Sequence, residues 1–286
     1  MQNIHTKTNY LKLLFLLLTP VPAIVLGAFV MHFHGVPITI WIQNIVCVLT
    51  GWLVCLGFLV KKGVRDHFVR RWLYLAFIIL LIPFANSGID GVHRWINIGP
   101  VKLHISSILL PFLLISIWKL ARNNHWWLAS ITAVGISITL SFQPDAAQTT
   151  AFTLAILVVL GSMAKGHFLR LSFLMLMLPI MIIPWIFLDS LAPVPHVEDI
   201  LTLANNLGSS WFISGLISLV ILPSPFLFFS PLKYRSLSIG LAVYFIATLL
   251  TPLFGHFPVP LMGYGISPIL GYFIALIWFI KSHNLQ

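Results

Sequence analysis

Residues 87–107 read Ser-Gly-Ile-Asp-Gly-Val-His-Arg-Trp-Ile-Asn-Ile-Gly-Pro-Val-Lys-Leu-His-Ile-Ser-Ser, a polar interruption between two strongly apolar segments. Its glycines and the Gly99-Pro100 pair rule out one continuous helix, while Trp95, Ile96 and Ile98 are apolar enough to rest at a membrane surface. On either side, apolar runs long enough to cross about 30 Å of hydrocarbon occupy 11–33, 38–60, 72–86, 104–121, 126–142, 149–164, 169–188, 210–229, 237–254 and 263–280. The pattern predicts an all-α, polytopic integral membrane protein of about ten transmembrane helices. With no internal repeat or low-complexity linker, it forms a single transmembrane domain over 1–286.

Composition requires the same class. Of 286 residues, 59% are hydrophobic and 8% charged, whereas a soluble domain carries about a quarter charged residues. The net charge of +10 is spread in short basic runs between apolar segments. That is the pattern of loops facing anionic cytoplasmic lipid, so membrane lipid is the expected partner and nucleic acid is not. The first apolar run is too long for a signal-peptide h-region and reads as a span. Cys47 and Cys55 share one span about 12 Å apart along a helix, too far for a disulfide.

Charge checks the number of spans independently. Ten spans put both termini on one side, together with Lys7, Lys12, Lys61, Lys62, Arg65, Arg70, Arg71, Lys119, Arg122, Lys165, Arg170, Lys233, Arg235 and Lys281. Only Arg94 and Lys102 remain opposite. The acids divide the other way, with Asp66 inside and Asp90, Asp145, Asp189, Glu198 and Asp199 outside. The side rich in Lys and Arg is cytoplasmic. Prolines at 20, 22, 83, 111, 179, 184, 223 and 225 fall within spans, where neighbours must satisfy the freed carbonyls.

The outer residues are the candidates for chemistry. Arg94 and Lys102 suit a phosphate or pyrophosphate, Arg as a planar fork and Lys as a point charge; equally, Arg94 has Asp90 four residues away to neutralise. Asp145 opens the sixth span, where an acid caps a helix N-terminus. Glu198 and Asp199 are adjacent in a helical-looking segment, so only one of them faces a site; a buried carboxylate there suits a general base. The outer histidines, including the His32-x-His34 pair, do not by themselves make a metal site, and no metal or cofactor is expected.

At this point the residues resemble the SEDS family, the FtsW/RodA/SpoVE group of bacterial shape, division and sporulation proteins. Gly88, Gly91, Arg94, Trp95, Ile96, Ile98 and Gly99 match its Gly-rich approach to an Arg-Trp-Ile element after the third span. Gln143-Pro144-Asp145 matches its Gln-Pro-Asp, and Pro260, Tyr264, Gly265 and Ser267 match the element before the last span. The chain departs where the family has Gln-Pro-Ser-Glu, reading His104-Ile105-Ser106-Ser107, and Asn205-Asn206 stand where two glutamates are usual.

The resemblance implies a multi-pass protein of the bacterial plasma membrane that acts in cell-wall biogenesis, division or cell-shape control. It implies undecaprenyl-linked lipid II as ligand and a penicillin-binding-protein transpeptidase as partner. Two activities stay open: a peptidoglycan glycosyltransferase, or a catalytically impaired relative that binds precursor or partner as a scaffold. Carried onto this chain, Asp199 is the general base, and Arg94, Lys102, Trp95, Asp145, Tyr264 and Ser267 bind substrate.

Overall fold

The computed structural model describes residues 13–60, 67–99, 101–188 and 191–284. Lys7, Lys12, Lys61, Lys62, Arg65, Asp66, Pro100 and Asp189 lie outside the described residues. The elements follow the apolar runs. They are α1 (Val21–Phe33, the end of an apolar span Leu13–Phe33), α2 (Ile38–Val60) and α3 (His67–Leu81). A hairpin of β1 (Trp95–Ile98) and β2 (Val101–His104) comes next. Then follow α4 (Ile105–Arg122), α5 (Trp126–Phe142), α6 (Ala146–Met163), α7 (Phe168–Met175) and α8 (Met177–Ile186). The chain closes with α9 (Ile200–Leu207), α10 (Ser209–Ile221), α11 (Ser224–Phe228), α12 (Arg235–Leu250) and α13 (Ile266–Asn284).

Each expected span coincides with a helix or a broken pair. The seventh breaks at Leu176, between α7 and α8. The eighth breaks where Pro223 and Pro225 cannot donate to the preceding turn, separating α10 from α11. Pro111 and Pro184 instead stay inside α4 and α8. Six of the spans are long and apolar enough to cross a membrane unaided, and 126–142, 209–221 and 266–282 are shorter apolar helices.

At the centre stand α4, α6, α12 and α13, whose facing side chains are almost fully buried. Small residues bring the axes together, as membrane helices require in place of a hydrophobic driving force. Ala151 and Ala155 of α6 are fully buried, as is Ala242 of α12, and Gly240 lies directly against Val159 and the Ala155 carbonyl. Gly271 of α13 is packed so tightly on the Ser107 carbonyl of α4 that a Cβ there would overlap it. Outward faces stay apolar and exposed, as on Leu53, Ile78, Ile186 and Val220, which is the lipid-facing half of the pattern. Cys47 and Cys55 are both free and buried.

The stretch 87–107 is not an amorphous loop. Asp90 and Gly91, both at positive φ (49° and 79°), form a two-residue turn closed by the Ile89–Val92 bridge, the Asp-Gly signal of a primed hairpin turn. The β1–β2 hairpin follows, with Trp95 opposite His104 and Ile98 opposite Val101. The period-two alternation separates its faces. Ile96 and Leu103 pack on the core, while Trp95, Lys102 and His104 line a cavity.

Candidate functional site

The cavity holds about 820 Å³ and is walled by the hairpin, the N-terminal ends of α2, α4, α6 and α13, the end of α12, and loops 191–198 and 256–268. Of the expected substrate-binding residues, Arg94, Trp95, Lys102, Asp145, Tyr264 and Ser267 all line it. They come from three segments far apart in sequence, the hairpin, Asp145 and 264–267. Asp199, the expected base, is not among the lining residues. It immediately precedes α9, its carbonyl accepting from the Leu203 N–H, while its neighbour Glu198 faces the cavity.

Asp145 anchors the floor. Its carboxylate caps α6 by accepting the Gln148 N–H at 3.2 Å, as expected of an acid at that helix start. It also accepts from His104 Nε2 at 2.8 Å and Ser106 Oγ at 3.1 Å. With only 2% of its surface exposed, burial alone would raise its pKa. The charge and hydrogen bond of His104, the Arg94 charge and the Gln148 N–H outweigh that and lower it to about 2. The site therefore carries a fixed negative charge.

His104 passes the network onward. Its other ring nitrogen, Nδ1, is hydrogen-bonded to Ser107 Oγ at 2.5 Å. Ser107 Oγ in turn accepts from Gln148 Nε2 at 3.3 Å, and Gln148 Oε1 accepts from Tyr244 OH at 2.6 Å. Each of the five side chains thus has a hydrogen-bond partner within one continuous row. The backbone N–H of His104 donates to Ser267 Oγ at 2.9 Å, tying the hairpin to α13.

Arg94 is turned inward, with 6% of its surface exposed. Its Nε donates to the Gln143 carbonyl at 3.3 Å and its Nη2 to the Pro144 carbonyl. Its guanidinium also lies over the Trp95 ring, 5.8 Å from the centroid. Asp90 is exposed on its turn, and Arg94 holds the Gln143-Pro144-Asp145 turn through those two carbonyls. Lys102 is the exposed cation of the wall.

The roof is the turn at 194–198. Glu198 Oε2 accepts the Val194 N–H at 2.7 Å. Burial raises the Glu198 pKa, with the Asp199 charge adding to it and the Val194 N–H and His256 opposing. Burial lowers that of His196. The Tyr264 N–H donates to the His196 carbonyl at 2.8 Å, and the Val259 N–H to that of Val197 at 3.1 Å. Asn44, fully buried on α2, clamps the same loop by donating to the Gly263 carbonyl and accepting the Gly265 N–H. Tyr264 OH donates to Gln43 at 3.1 Å.

Sequence reading missed Gln43, Ser107, Gln148, Tyr244 and the cavity-facing role of His104. One signal was available: Asp145-Ala-Ala-Gln148 has the spacing of a capping box.

Compared with known proteins, the chain matches no family model and no curated sequence. Among solved structures it is similar to Thermus thermophilus RodA, a rod shape determining protein, at 16% identity and a TM-score of 0.61. That alignment covers 94% of this chain and 95% of RodA. The chain has the RodA fold. A mutant of the same RodA aligns at a TM-score of 0.62, covering 96% of that chain. A chain from a peptidoglycan synthase complex, described as coordinating polymerization and crosslinking, aligns at 17% identity and a TM-score of 0.66, covering 94% of this chain and 96% of that one. The RodA fold is thus present almost end to end.

Proposed function

We propose that this chain is a SEDS protein of a bacterial plasma membrane, acting in peptidoglycan biogenesis on undecaprenyl-linked lipid II beside a penicillin-binding-protein transpeptidase. The observation that carries the reading is the shared cavity: Lys102 and Arg94 on one wall, Glu198 on another, within a RodA fold. In glycosyl transfer, an acceptor sugar hydroxyl attacks the anomeric carbon of the donor as its proton leaves. The bond to the pyrophosphate then breaks, and negative charge gathers on the leaving group. Lys102 is placed to meet that charge, backed by the field of Arg94.

The proton acceptor is one of the adjacent acids. The resemblance assigns it to Asp199; facing the cavity and a raised pKa favour Glu198. Trp95, Tyr264 and Ser267 shape and polarise the walls.

The test is polymerisation of lipid II by the purified protein, alone and with a transpeptidase partner. Glu198→Gln should abolish polymer while Asp199→Asn retains most of it; the reverse returns the base to Asp199. Because a base must be ionised, the rate should climb with pH through a midpoint above the ordinary glutamate range. A second reading, a relative that binds lipid II or the transpeptidase without polymerising, is favoured by the Ser107 and Asn205-Asn206 departures. Binding of lipid II with no polymer under any condition would establish it.

A further inference from the structure

The opposite end of the bundle carries a second arrangement that the cavity does not use. Trp118 of α4, Tyr234 ahead of α12 and Trp278 of α13 form a three-ring cluster with centroids 5.6, 5.7 and 6.0 Å apart. Arg122 lies over two of these rings, 5.1 Å from Trp118 and 5.7 Å from Tyr234. Lys233 Nζ stands 5.6 Å from the same Tyr234 ring. Arg122 Nη1 reaches the Lys233 carbonyl at 3.5 Å, and Trp118 Nε1 donates to Ser236 Oγ at 3.2 Å. Arg122, Lys233 and Arg235 are all exposed.

Among the described residues every carboxylate belongs to the cavity end or its outer loops, as Asp90, Asp145, Glu198 and Asp199 do. These cations therefore face none of them. Leu232, next to Lys233 in the chain and 85% exposed, and Phe228, 78% exposed at the end of α11, offer apolar surface on this segment. Guanidinium and ammonium groups held on aromatic faces at a span end, with apolar side chains beside them, match a phosphate attached to acyl chains.

We propose that Arg122, Lys233 and Arg235 form a binding site for the headgroup of an anionic phospholipid in the cytoplasmic leaflet, its acyl chains lying along Leu232 and Phe228. The rings fix Arg122 and Lys233 in advance, so the site differs from a diffuse basic belt. Bound phospholipid would tie α4, the 229–235 loop and α13 together.

The test is native mass spectrometry and thermal unfolding of the full chain with phosphatidylglycerol or phosphatidylcholine. Wild type should retain and be stabilised by phosphatidylglycerol preferentially. Lys233→Gln and Arg235→Gln should each reduce that preference roughly fivefold, the share of about one surface cation. Lys165→Gln, exposed elsewhere, should leave it unchanged. The proposal is overturned by an equal loss in Lys165→Gln, which means a diffuse belt. It is also overturned by no preference in wild type, or by displacement with inorganic phosphate at matched ionic strength, which means a free-anion site.

Discussion

Arg94 and Arg122 each lie over a tryptophan, Arg94 on Trp95 and Arg122 on Trp118, yet they serve opposite ends of the bundle in opposite ways. Arg94 is buried, bound to two carbonyls, and acts on a buried acid. Arg122 is exposed, and no described acid stands at its end. A buried cation must have its donors satisfied, so the structure around Arg94 is specific and intolerant. An exposed cation is hydrated and screened, so Arg122 is held by its ring contacts and the Lys233 carbonyl with no partner acid among the described residues. The cavity end is built by partnership, the other by surface.

That contrast is broken most severely at Asp145. Asp145→Ala removes the cap of α6 and leaves His104, Ser106 and Arg94 without the charge they surround. Taking one member from a buried pair costs about 3–5 kcal/mol, enough to lower the thermal midpoint in detergent by many degrees. The same group gives a pH signature. Its pKa is lowered on folding to about 2, so its contribution is complete above the unfolded value near 4 and is lost as pH falls toward 2. A thermal midpoint that stays flat through that acid window in wild type would contradict the buried charge; Asp145→Ala should lack this component.

Much of this was legible in the sequence, and the limits are physical. Apolar runs gave the ten spans because lipid imposes one length and one polarity on every crossing. The cap role of Asp145 follows from an acid at a helix start. The hairpin was hidden because WINI and VKLH are four residues each, too short for alternation to stand out from a merely polar stretch. The His104–Asp145 pair could not be read, since 41 positions separate the two and no local pattern names a distant partner. The resemblance points to Asp199, while Glu198 lines the cavity; adjacent residues point in different directions, and a sequence pattern alone does not say which of them turns inward.

A smaller effect sharpens the comparison by acting on shape alone. Gly271 lies against the Ser107 carbonyl, so Gly271→Ala must push α13 from α4 where Ser107 meets His104. Overpacking of this kind costs about 1–3 kcal/mol. The His104 N–H bond to Ser267 should lengthen with it, visible as faster amide exchange at His104. An unchanged midpoint with unchanged exchange would mean that the two helices are not held at this contact.

The least effect belongs to the opposite end. Lys233→Gln removes an exposed charge that stacks on Tyr234, and surface substitutions usually stay within about 0.5 kcal/mol. In zwitterionic detergent its midpoint should therefore match wild type, whereas Arg122→Gln, which also uncovers Trp118, should lose about 0.5–1 kcal/mol. If Lys233→Gln instead destabilised the protein as Asp145→Ala does, the cytoplasmic cations would be structural partners like those of the cavity. The two ends would then follow one rule. The exposure of Lys233 and the lack of a described carboxylate near it argue that they follow two.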